Sequence, residues 1–93
     1  MKQFTTPEQT AKLIELGFEK PKSSHRYWRG NELIINNNYS VSELIEMLGV
    51  HLSSIYYIGI EWFVNAEGIE RRKDELIDAI YDMIVKLKEE GVI

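Results

Sequence analysis

Ser53-Ser54-Ile55-Tyr56-Tyr57-Ile58-Gly59-Ile60-Glu61-Trp62-Phe63-Val64 is the stretch on which the fold turns. Aromatic and β-branched residues crowd it, and these pack well on a pleated surface. It therefore reads as strand in a chain whose other strong signals are helical. Gly59 in its middle marks a bulge or a tight turn, so one bent strand and a short hairpin both fit. Asn65-Ala66-Glu67-Gly68 closes the stretch. If it is one strand, Tyr56, Ile58, Ile60, Trp62 and Val64 face one way, and Ile55, Tyr57, Gly59, Glu61 and Phe63 the other. Helices covering a single face would leave tyrosine and phenylalanine exposed on the second.

Helices flank this stretch. Downstream, Leu76, Ile77, Ile80, Met83, Ile84 and Leu87 follow the spacing of an amphipathic helix, predicted from about Asp74 to Glu90 and ended by Gly91. Val92 and Ile93 can then cap the core. Upstream, Ser40-Val41-Ser42-Glu43 is a capping box, and Tyr39 with Leu44 can form a hydrophobic staple. Gly49 stops that helix.

Further upstream, Ser24–Trp28 and Leu33–Asn36 flank Arg29-Gly30-Asn31-Glu32, which suggests a β-hairpin. A loop around Pro21 precedes it, and Asn36-Asn37-Asn38 breaks the chain after it. The first helix opens at Thr6-Pro7-Glu8-Gln9, with a threonine cap, proline at the first helical position and glutamine three after the cap. Gly17 ends it, with Phe18 folding back toward Leu13.

The order is α-β-β-α-β(β)-α. The expected fold class is α+β: a small, mostly antiparallel sheet of three to four strands with about three helices packed on one face. Ninety-three residues is room for one domain, 1–93. An apolar fraction of 44% and a charged fraction of 28% are ordinary for a globular domain and argue against whole-chain disorder.

With no cysteine, disulfides, thiolate metal sites and cysteine nucleophiles are excluded. The N-terminal residues lack the apolar run of a signal peptide, and no apolar stretch is long enough to span a bilayer. The expected location is the cytoplasm, with no membrane partner.

The net charge of −4 is unevenly spread. Residues 1–30 carry six Lys/Arg against three acids. Residues 31–70 carry six glutamates and no Lys or Arg. Residues 71–93 carry five bases and six acids. Overall acidity argues against a general nucleic-acid binder, while the asymmetry leaves room for a local basic patch.

Catalysis needs convergent groups, and the candidates are thin. His25 and His51 fall in different elements and in no metal-binding pattern, so structural roles are favoured for both. No serine sits in a nucleophile elbow, and the glycines are too scattered to cradle a phosphate. No catalytic residue, metal ligand or cofactor is assigned, and an enzyme is the least favoured of three readings, after a protein-binding module and a nucleic-acid binder. Asp74, Asp78 and Asp82 share one stripe of the last helix. They are read as a solvated, ion-paired face rather than a cation site, which would draw carboxylates from more than one element.

Two surfaces remain. Lys20, Lys22, His25, Arg26 and Arg29 interleave with Tyr27 and Trp28, and Arg71-Arg72-Lys73 can extend them. Cations beside rings are the chemistry that holds single-stranded nucleic acid, so Arg26, Arg29, Trp28, Arg71, Arg72 and Lys73 are the alternative site. The favoured reading of this segment is an edge strand guarded by charge, with Trp28 or Tyr27 in the core. Tyr56, Tyr57, Trp62 and Phe63 exceed what one sheet face buries. Tyr56, Tyr57 and Phe63, with Trp28 as an outlying candidate, are the expected contacts to a protein partner or to a second copy.

Thr5–Gly17 followed by Tyr27-Trp28, the segment Tyr39–Leu48 and the segment Asp78–Lys88 resemble a group of small uncharacterised bacterial proteins. These are carried by prophages and other mobile elements of gut anaerobes. The resemblance rests on caps and core stripes. It implies a fold and a genomic setting, and transfers no reaction and no functional residue. The leading expectation is an adaptor or accessory module that binds protein.

Overall fold

The computed structural model describes residues 2–22 and 25–93, with His25, Tyr27 and Asn36 described by backbone. Helix α1 spans Pro7–Glu15, strand β1 His25–Arg29, β2 Glu32–Asn36 and α2 Val41–Leu48. A 3-10 turn at Gly49–His51 leads into β3, Leu52–Ile58. Then follow β4, Glu61–Ala66, β5, Ile69–Lys73, and α3, Leu76–Glu89. The fold is a small α+β domain with its helices packed against antiparallel sheet.

The helix starts follow their sequence signals. Thr6 accepts from Gln9 N at 3.1 Å while Gln9 Oε1 accepts from Thr6 N at 2.9 Å. Ser40 and Glu43 make the same reciprocal pair. Each satisfies two donors that a helix start leaves orphaned. Gly17, at φ 100°, ends α1. Phe18 N then donates to Leu13 O, and Gly17 N to Ile14 O, the double bond of a Schellman stop. Val92 and Gly91 close α3 in the same way, on Leu87 and Lys88.

Three details go beyond the sequence reading. The strands form two sheets, β1-β2 and β3-β4-β5. Of the two readings left open for 53–64, the structure takes the hairpin, which turns at Gly59-Ile60 with Gly59 at φ 66°. And β5 is an added strand. Glu67 (φ 51°) and Gly68 (φ 76°) make a two-residue turn with both central residues left-handed, the geometry that matches strand twist. The chain therefore returns beside β4 instead of stopping there. Its Glu-Arg-Arg-Lys sequence hides the strand from any apolar alternation, and such charge is tolerated because β5 is an edge. Helix α3 starts later than expected, with Glu75 at its cap, so Asp74 lies outside it.

The core forms around α3. Leu76, Ile77, Ala79, Ile80, Met83, Ile84 and Leu87 are buried with Leu13, Tyr39, Leu44, Leu48, Val64 and Ala66. Helix α3 packs on β4 and β5 with one side and on α2 with another. Each large aliphatic here stabilises by about 1.5–3 kcal/mol through area removed from water.

The N-terminal segment is tied down by polar contacts. Phe4 forms a β-bridge with Ser40. Behind it runs a buried relay: Tyr39 N donates to Thr5 Oγ1 at 3.0 Å, Thr5 and Thr10 hydroxyls meet at 2.7 Å, and Thr10 Oγ1 donates to Asn38 Oδ1 at 2.6 Å. Every hydroxyl both gives and accepts, which removes the cost of burying it.

Candidate interaction surface

The β3–β4 hairpin carries the aromatic residues, and its register decides which meet. Tyr56 pairs with Phe63, Tyr57 with Trp62 and Ile55 with Val64. Val64 and Ala66 are fully buried toward α3, so Trp62 and Tyr57 share that inner face. Phe63 and Tyr56 point the other way. The expected contacts Tyr56, Tyr57 and Phe63 therefore regroup: Phe63 shares its face with Tyr56, not with Tyr57 as one continuous strand would have it. A strand that turns back at Gly59 inverts the alternation computed for one continuous strand.

On the outer face, the rings of Tyr56 and Phe63 stack in parallel, with centroids 5.1 Å apart and planes 4° apart. The Tyr56 hydroxyl donates to Glu70 Oε1 at 3.4 Å, a long bond. Arg72 is the β5 partner of Phe63 in the same row. Asn65 donates to Ser54 Oγ at 3.2 Å in the next row. On the inner face, Tyr57 and Trp62 lie 5.0 Å apart with planes tilted by 54°. Trp62 packs partly against the core, while Tyr57 stays 52% exposed. At the tip, Ile58 is 63% and Ile60 78% exposed. Tyr57 on the inner face, Ile58 on the outer face and Ile60 in the turn thus leave the end of the hairpin uncovered on both sides.

The second expected surface is dispersed. Trp28 is not in the core but 69% exposed, opposite Leu33 in the β1–β2 hairpin. Arg26 lies two residues before Trp28 and shares its face with Leu33 and Ile35, while Arg29 alternates to the other face. Arg71 and Lys73 lie on the inner face of the other sheet, in the rows of Val64 and Trp62, and Arg72 on its outer face. Lys73 is engaged with Asp82 at 3.4 Å. The six residues therefore do not form one patch. The alternative core placement of Tyr27, and Ser23 and Ser24, lie outside the described side chains and residues.

The acidic stripe has structural partners. Asp78 Oδ1 accepts from Lys2 Nζ and from Gln9 Nε2, both at 2.8 Å, and Lys2 N donates to Glu75 at 2.9 Å. Burial works against the Asp78 charge. The hydrogen bonds from Lys2 and Gln9, with the charges of Lys2 and Lys73, outweigh it and hold the carboxyl below its ordinary value. His51 Nδ1 meets Glu67 Oε1 at 2.7 Å, which bridges the start of β3 to the β4–β5 turn. Among the described residues, no three His, Asp or Glu side chains cluster as metal ligands would.

A shallow cleft of about 260 Å³ lies where Phe18, Glu19, Lys22, Tyr39, Glu43 and Met47 meet. Sequence reasoning missed it, because its walls come from a loop and two turns of α2. The Tyr39 hydroxyl donates to the Glu19 carbonyl, and Lys22 N donates to Glu43. Burial, and then the nearby Glu43 charge, raise the Tyr39 phenol above its ordinary value. Its lining sets Glu19, Glu43 and Glu46 among Lys20 and Lys22 and holds no serine, threonine or histidine.

Among the described residues, no helix is long and apolar enough to cross a membrane. Comparison of the chain with family models, with curated proteins and with solved structures gave no match in any of the three.

Proposed function

We propose that this domain is a protein-interaction module of the cytoplasm, an adaptor or accessory protein whose contact surface is the distal β3–β4 hairpin. The observation that carries the reading is the hairpin end left uncovered on both faces by Tyr57, Ile58 and Ile60, with Tyr57 already fixed against Trp62 and Tyr56 against Phe63. Aromatic anchors held in place before binding lose little entropy on docking, and clustered exposed apolar side chains mark contact sites.

The test is capture from host lysate with the tagged chain, split into nuclease-treated and untreated halves. Alongside runs the double variant Tyr57→Ser, Ile60→Ser. A protein that survives nuclease and is lost with the variant, at unchanged circular dichroism, supports the module. Equal capture by a folded variant removes this surface.

One observation favours a second reading. The exposed Trp28 shares its face with Arg26, a ring beside a cation as single-stranded nucleic acid is held. That reading requires binding which falls steeply with salt and disappears in Trp28→Ala.

A further inference from the structure

The two edges of the three-stranded sheet have opposite character. Edge β5 presents Glu70, Arg71, Arg72 and Lys73 in succession. Charges on an edge strand discourage pairing with another chain. Edge β3 has no such guard: from Leu52 to Ile60 there is no Asp, Glu, Lys, Arg or His. Leu52 N is taken by Gly49 O in the 3-10 turn. From Ser53 to Ile58, no backbone hydrogen bond among the described residues runs to any element but β4. The outward N–H and C=O groups of this strand are open to a partner strand.

We propose that β3 pairs with β3 of a second copy, antiparallel about a two-fold axis, to give one sheet in the order β5-β4-β3-β3-β4-β5. This deepens, and rests on, the reading of the hairpin as a contact surface. The argument for a second copy is self-complementarity. An isologous contact brings each residue against its own kind reversed, so a charged edge would repel itself and this neutral one does not. With Ile55 opposite Ile55, Ser54 of each copy faces Tyr56 of the other, small against large. Tyr56 is already held by its stack on Phe63. An axis perpendicular to the sheet keeps both copies of α3 on one side and both Tyr56–Phe63 stacks on the other. The register irregularity between Leu52 and Ser54 ends the regular pairing on one side and keeps the contact short. The association is therefore concentration-dependent, and the two hairpin tips point to opposite ends.

The measurement is sedimentation equilibrium of the full chain over a wide concentration series, on wild type and on Ser54→Lys, which places a charge on the free edge. A second measurement uses Ile55→Cys. The chain has no other cysteine, and directly opposed strand residues stand about 4.5–5.5 Å apart at Cα, within disulfide reach. We expect wild type to reach the dimer mass and Ser54→Lys to remain monomeric with unchanged circular dichroism. Oxidised Ile55→Cys becomes a covalent dimer. A wild type that stays monomeric throughout overturns the proposal, as does a dimer that neither variant affects. If such a monomer still captures a protein through Tyr57 and Ile60, self-pairing fails and the module stands. A dimer that captures nothing keeps self-pairing and removes the wider role.

Discussion

Lys2 Nζ lies 2.8 Å from Asp78 Oδ1, and so fastens the start of the chain to the first turn of α3. Because the Asp78 carboxyl is held below its ordinary value, its contribution to stability is fully present above the unfolded-state pKa of about 3.9. It is lost as pH falls through the lower, folded value. Asp78→Asn should therefore lower stability by about 1 kcal/mol at neutral pH and flatten the acid limb below about pH 4. Urea unfolding at several pH values checks both.

The Thr5–Thr10–Asn38 relay makes a sharper test of buried polarity. Thr10→Val keeps the shape and removes the middle hydroxyl, leaving Asn38 Oδ1 without that donor. The expected cost is about 1–3 kcal/mol, seen as a lower denaturation midpoint at unchanged slope.

In the core, Ile80 and Ile84 are fully buried on α3. Either one changed to alanine should cost about 2–5 kcal/mol by thermal or urea unfolding. Val50, 95% exposed, changed to alanine should cost about 0.5 kcal/mol or less.

At the contact surface, Tyr56→Ala breaks the parallel stack and should cost about 0.5–1.5 kcal/mol of stability beyond lost area. Tyr57→Ser, on the half-exposed side, should cost less stability and more partner binding. Unfolding and capture measured on the same two proteins separate these effects.

Much of the fold is legible from local chemistry. The capping boxes at Thr6 and Ser40, the glycine stops at Gly17 and Gly91, and the apolar stripe of α3 each act within a few residues. Sequence patterns report such interactions directly. The strand β5 was not legible, because Glu70-Arg71-Arg72-Lys73 carries no burial pattern and only the Glu67-Gly68 turn announces it. The grouping of Tyr56 with Phe63, and of Tyr57 with Trp62, needed the turn at Gly59 to be settled first. Its position reverses which side chains share a face. The cleft beneath Tyr39 joins residues some twenty to thirty positions apart, a distance over which periodicity says nothing.

Helix α3 supplies seven of the thirteen buried apolar side chains among the described residues, and it is the last element of the fold. During synthesis, every earlier element emerges without the surface it must pack on. A nascent chain that has not reached Leu76 can form its two small sheets and two capped helices, but it has nothing to assemble them around. Folding therefore waits until α3 has left the ribosome. Products cut short before α3 are substrates for proteases rather than smaller working versions of the domain.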